Sequence, residues 1–165
     1  MHGSLEHFLD EVARRGSWFG GGSAAALTAA LSAALLEKLL AQPPAAHRVG
    51  RIRRDCAALI QRDADTFARV IAATRLRRRQ AFARALKTAT GVPCRIAIHA
   101  RKLAATCRAA RRLVKPRLQS DLRCALALAN AADAAACALI DTNLVWLNEP
   151  GYTRMIRRRL RTAAR

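Results

Sequence analysis

Two kinds of residue in this chain could do chemistry. The first is the turn "FGGGS", where Gly20, Gly21, Gly22 and Ser23 stand directly before a long, nearly charge-free alanine-leucine run. A helix that starts there offers unpaired N–H groups and a partial positive charge, both suited to an anion. Glycine lets a ligand approach the backbone or lets the backbone turn sharply. No Lys follows the serine, so the turn is not a phosphate-binding loop of the nucleotide-hydrolysing type. A plain turn between two helices is the other reading. The second kind is the carboxylates, which number only 11 against 30 Lys and Arg. Asp63 and Asp65 lie together in "QRDADTFARV", Asp121 follows Ser120, and Asp133 and Asp141 lie in an alanine-rich segment. Carboxylates so outnumbered are expected mostly to be ion-paired to arginine, with Asp121 complementing a helix dipole.

Composition bounds what these residues can be part of. Hydrophobic residues make up 52% of the chain and aromatics 4%, so alanine and leucine must supply the packing. Both head the helix propensity scale. The uncharged run 24–36 is too short to span a bilayer. Glu6, Asp10 and Glu11 stand where a secretory leader needs a basic and then an apolar stretch, so a cytoplasmic protein with no membrane partner is expected. The five cysteines form no CxxC pair and the four histidines no metal-ligand spacing. No metal site is expected, the thiols should be reduced and mostly buried, and His99 should lie on a helix surface. The net charge of +19 raises nucleic acid as a partner, through runs such as "RLRRRQ" (75–80) and "RRRLR" (157–161). Against it, the bases are 26 Arg and 4 Lys spread along every segment with few aromatics between them. Solvated surface is the preferred reading of those runs.

The elements that must position the candidates all read as helices. Ser4 caps a first helix with Leu5, Phe8, Leu9 and Val12 at helical spacing, ending near Gly16. Ser23 is the expected N-cap of a second helix, which carries a stripe of Leu27, Leu31, Leu35 and Leu39 and stops at "QPP" (42–44). A third helix is expected over 47–75 with Phe67 on its apolar side. A shorter one should follow to about Thr90, where "GVP" breaks it, and Pro93 should open another reaching Leu113. Ser120 is the expected cap of a long alanine-rich helix, and a basic terminal helix follows "NEPG". No segment alternates as a strand would. The expectation is one all-α domain over 1–165, an antiparallel helical bundle of about six to seven helices.

Four segments, in order, resemble the cyclodeaminase/cyclohydrolase family: "GGGSAAALTAALSAAL" (20–35), "DADTFARVIAA" (63–73), "ALKTATGVP" (85–93) and "SDLRCALALANAADAAACALIDTNL" (120–144). The resemblance implies an all-helical, usually homodimeric protein with a tetrahydrofolate derivative as substrate. It would either expel ammonia from 5-formiminotetrahydrofolate or hydrolyse 5,10-methenyltetrahydrofolate to 10-formyltetrahydrofolate. With no formiminotransferase domain in the sequence, hydrolysis is the expected reaction. The resemblance further implies Asp121 and Asp63 as catalytic residues and Gly20, Gly21, Gly22, Ser23, Ser120 and Asn143 as substrate-binding. A carboxylate beside the cationic methenyl carbon could steady it and take a proton from water.

Two other readings stay open. "SWFGGGS" lacks the prolines usual before the family's glycines, and "VKPRLQSD" lacks the usual Gly-Asn, which fits a degenerate member acting as a folate-binding or regulatory protein. The charge fits a basic helical protein that binds nucleic acid.

Overall fold

The computed structural model describes residues 4–75 and 77–162. Residues 1–3 and 163–165 of the expected domain, and Leu76 of the basic run, lie outside them. Among the described residues there are six α-helices and no strand: α1 (Leu5–Ala13), α2 (Gly21–Leu39), α3 (Pro43–Arg75), α4 (Arg79–Ala110), α5 (Gln119–Leu147) and α6 (Pro150–Thr162). The all-α bundle is therefore as expected. Short connections fold α2–α5 back on one another. α2 packs against α3 and α5, α4 does the same on the other side, and α2 and α4 meet across the centre.

Local sequence explains most boundaries. Ser4 accepts a hydrogen bond from the His7 N–H at 3.1 Å and so caps α1, whose exit turns through Gly16 at φ +79°. Pro43 and Pro44 open α3, because a proline in the first turn lacks only an N–H that would have no acceptor there. α3 thus starts four residues earlier than periodicity suggests. The expected break at "GVP" does not occur. α4 runs through Gly91 and Pro93 as one helix, since its buried residues on both sides of Pro93 (Leu86, Val92, Ile96, Ala100) belong to one continuous face. Tertiary packing overrides the local cost of a mid-helix proline.

Of the three serines expected as helix caps, Ser4 is one and Ser23 and Ser120 are not. The N-cap of α2 is Gly20, and that of α5 is Leu118, the last residue of a short 3-10 turn over Pro116–Leu118; neither makes a side-chain capping bond. The leucine stripe of α2 is only partly its core face. α2 turns Ala25, Ala26, Ala29, Ala33 and Leu36 inward; of the stripe, Leu39 is buried, Leu27 and Leu35 are half-buried and Leu31 is 49% exposed. Alanine on the inner face lets α3, α4 and α5 approach α2 closely. Ser32 fits the same seam by donating to the Ala125 carbonyl on α5 at 2.7 Å.

The core is built from these small residues with a few large anchors. Leu36, Leu59, Ile60, Ile96, Leu103 and Ile140 are essentially inaccessible. Cys56, Cys94 and Cys107 are buried among them, with thiols pushed by burial up to about 12, about 11 and about 11. Cys137 is half-buried and Cys124 exposed. His99 is not a surface residue. Only 13% of its side chain is exposed, burial holds its pKa down, and its Nδ1 has no partner among the described residues.

Leu36 tests this packing. Its alanine neighbours have little side chain with which to fill a void, so Leu36→Ala should destabilise by about 3–5 kcal/mol. Urea unfolding with an unchanged slope and a lower midpoint is the expected record.

Candidate functional site

The glycine turn and Asp63 meet. The Gly20 carbonyl accepts the first helical bond of α2 from Ala24 N–H at 3.0 Å, so the N–H groups of Gly21, Gly22 and Ser23 precede the first rung and have no acceptor within the helix. Ser23, in that first turn, is fully buried and faces α3. Its hydroxyl donates to the Ile60 carbonyl at 2.9 Å and lies 3.2 Å from Asp63 Oδ2. A Cβ placed on Gly22 would overlap the Asp63 carboxyl group, so this position requires glycine. The other two glycines are not needed for space. A Cβ on Gly20 would meet nothing, and one on Gly21 would touch only Leu139 Cδ2 at 3.6 Å.

Asp63 differs from most acidic groups around it. Glu11, Glu37, Asp55, Asp121, Asp133 and Glu149 each face a Lys or Arg within 4 Å. Among the described residues, Asp63 has no basic partner within that distance. Burial pushes its carboxyl up, and the hydroxyl and backbone N–H of Ser23 draw it partly back. The single hydroxyl proton of Ser23 can serve either state. With Asp63 ionised it turns to Oδ2; with Asp63 neutral the acid donates to Ser23 Oγ while the serine donates to Ile60. The carboxyl is thus biased toward holding its proton and is bonded in both forms.

These groups line a cavity of about 240 Å³ between the start of α2, the middle of α3, the first half of α4 and the end of α5. Aromatic rings form its walls: Trp18 and Phe67 meet edge to face with centroids 6.4 Å apart, and Trp146 lines another side. Phe67, expected in the core, is 40% exposed here. Asn143 and Thr142 contribute polar groups from α5. α4 adds another through Pro93, which has no N–H for the Ala89 carbonyl; both residues line the cavity. Apolar walls with a few convergent polar groups suit a flat heteroaromatic ligand.

Of the residues expected from sequence, Gly20, Gly21, Gly22, Asp63 and Asn143 line this one cavity, and Ser23 lies directly behind Asp63. Ser120 and Asp121 do not join them. They open α5, about 33 Å from Asn143 along the same helix at about 1.5 Å per residue. Asp121 instead bonds Lys38 Nζ at 2.8 Å, and Ser120 is exposed. Asp65, beside Asp63 in sequence, faces away and accepts from Gln61 at 2.9 Å. Sequence reading missed Trp18, Trp146 and the Ala89–Pro93 pair. The available signal was the placement of scarce aromatics next to the glycine turn and near Asn143. Among the described residues, no three His, Cys, Asp or Glu side chains converge as metal ligands would.

Sequence comparison with curated proteins gives no significant match. Among solved structures, the fold is similar to a formiminotetrahydrofolate cyclodeaminase from Thermotoga maritima, with a TM-score of 0.89 and 22% identity. That match covers 98% of this chain and 88% of the other. The formiminotransferase-cyclodeaminase sequence profile matches residues 4–42 and 43–162. With nearly the whole length matched, the chain belongs to the formiminotransferase-cyclodeaminase family.

Proposed function

We propose that the Asp63 cavity binds a one-carbon-substituted tetrahydrofolate and that Asp63 moves the proton in a cyclodeaminase reaction. The observation that carries this is a carboxyl free of basic partners, biased toward its acid form, at a cavity with aromatic walls. In 5-formiminotetrahydrofolate, N10 attacks the formimino carbon and its proton passes to the imino nitrogen, which becomes an amino group; the carbon–nitrogen bond to that group then breaks, and ammonia leaves. The departing nitrogen needs a proton, which neutral Asp63 can donate. The product is the 5,10-methenyl cation, and the carboxylate left behind offsets its charge. Trp18, Phe67 and Trp146 would hold the pterin ring. Asn143, the Ala89 carbonyl and the first N–H groups of α2 would supply its hydrogen bonds. Hydrolysis of the methenyl compound, the reaction expected from sequence, would use the same residue as a base; the upward push of burial on Asp63 is the observation on the side of deamination. We assign Asp121, paired with Lys38 away from the cavity, a structural part.

The same reading includes a homodimer. In a chain with 30 Lys and Arg, residues 17–36 and 124–147 contain none. These two stretches form most of α2 and α5, which pack side by side. α5 has an 18-residue window of mean hydropathy 1.5 of which only 28% is buried. Leu31, Ala131, Ala135 and Ala138 are exposed along the pair. An apolar face from which arginine is missing fits a second copy of the chain packed helix against helix.

Three outcomes follow. The pure protein mixed with 5-formiminotetrahydrofolate should generate the methenyl chromophore and release ammonia. Loss of that chromophore from added methenyl compound, with no reaction of the formimino compound, would make it a cyclohydrolase instead.

Asp63→Asn should lower turnover by about a hundredfold or more, the scale of a lost general acid. Because folding raises the Asp63 pKa, its contribution to stability is fully present below the unfolded pKa and is lost as pH rises through the folded one. At neutral pH Asp63→Asn should therefore raise the thermal midpoint while removing activity. Asp121→Asn should leave turnover per folded molecule within about twofold, since an exposed pair to Lys38 contributes at most about 1 kcal/mol.

Sedimentation equilibrium should find a dimer at micromolar concentration. Leu31→Arg with Ala135→Arg should give a monomer with undiminished helical circular dichroism.

A further inference from the structure

We infer that a second, basic cleft on the α3–α4–α6 side of the bundle binds the phosphodiester backbone of a nucleic acid through charge alone. This cleft, about 990 Å³, is larger than the Asp63 cavity and lined by different residues. Arg48 from α3, Arg101, Lys102 and Arg108 from α4, and Arg161 from α6 line it, with Thr106 among them. Its carboxylate, Asp133, is held by Arg101 Nε at 2.9 Å, and Arg101 also donates to the Leu160 carbonyl at 2.7 Å. Arg101 is therefore a structural strut. Among the described residues, Arg48, Lys102, Arg108 and Arg161 have no carboxylate within 4 Å, and all four are exposed.

The cleft does not end as a pocket for one small anion would. At one side it shares Arg48 and Lys102 with a depression that adds Arg51 and Arg54. The carboxylate there, Asp55, faces Arg95 at 3.9 Å and His99 at 3.6 Å. At the other side the cleft shares Arg108 with a groove that adds Arg111, Arg112 and Arg123. The three depressions make one track of cations across α3, α4 and the start of α5. A linear polyanion matches a track, whereas a single phosphate or carboxylate would occupy a fraction of it. No aromatic side chain lines any of the three, so no base can stack there. That leaves contact with phosphates and no means of reading sequence. Lys102, the nearest of the track's free cations on α4, lies about 14 Å along that helix from Pro93 in the wall of the Asp63 cavity, at about 1.5 Å per residue, so both could be occupied together.

Fluorescence anisotropy with a labelled oligothymidylate of about 20 nucleotides tests this. Four phosphate contacts predict a log–log salt slope of about −3 and a loss of about fiftyfold in affinity between about 50 and 200 mM salt. Arg48→Glu/Lys102→Glu/Arg108→Glu should weaken binding by more than about tenfold and flatten the slope by about 2. Arg78→Glu/Arg79→Glu/Arg84→Glu makes the same charge change at the far end of α4 and should alter affinity by less than about threefold. If the cleft reversals prevent folding, Arg48→Gln/Lys102→Gln/Arg108→Gln supports the same comparison against glutamines at 78, 79 and 84. Equal losses at the two ends would overturn the proposal, because only net charge would then matter. So would displacement of the oligonucleotide by tripolyphosphate at equal charge concentration, because a short anion would then occupy the cleft as well as a linear one. Absence of measurable binding at low salt would overturn it outright.

Discussion

The contact on which the site depends is the approach of the first turn of α2 to Asp63 in the middle of α3. Gly22 is bare because the carboxyl occupies the space its side chain would need. Ser23 then reaches past it to bond both Ile60 and Asp63. One turn of helix thereby fixes the position of the acid and sets Gly20, Gly21 and Gly22 beside it in the cavity lining. The rest of the bundle supports this arrangement: alanines along α2 bring α3 and α5 close enough for the turn and Asn143 to line the same cavity.

Electrostatically, the molecule separates two regimes. Most carboxylates are neutralised by neighbouring cations, as a strongly basic surface makes almost unavoidable. Asp63 escapes because its surroundings are glycine, serine, threonine and aromatic rings, none of which brings a charge. Its pKa is raised by burial and only partly restored by Ser23. The basic cleft is the converse, with cations left unpaired because α4 and α6 present few acids there.

Much of this was legible in the sequence. Helical spacing and alanine content gave the all-α class, and the four family-like segments brought Gly20–Gly22, Asp63 and Asn143 into one reading. What failed was local inference where long-range packing decides. Ser23 and Ser120 have the residue type of a cap, but whether a serine caps depends on where the chain enters the helix, and here it enters earlier. "GVP" has the composition of a break, but a continuous buried face on α4 carries the helix across it. Asp121 shares a motif with the site yet stands at the opposite end of a long helix, a separation that spacing alone does not convey. The leucine stripe of α2 has the look of a core face, yet only Leu39 of its four residues is buried; alanines and Leu36 take most of the inner face, where α2 lies against three other helices.

That alanine core inverts the usual sensitivity of a protein interior to mutation. In most cores the damaging change removes volume. At Ala26, Ala29, Ala97, Ala125, Ala132 and Ala136, all without accessible surface, every replacement reachable by a single base change of an alanine codon, except glycine, adds atoms. Each added group must push two backbones apart, because few long side chains are at hand to change rotamer and absorb the strain. Drift in such a sequence is therefore confined to the surface, where a basic residue is tolerated, and the interior is held nearly invariant by steric exclusion rather than by chemistry. A family with this architecture can diverge widely in charge and loop sequence while its helix spacing, and with it the geometry of the cavity, stays in place.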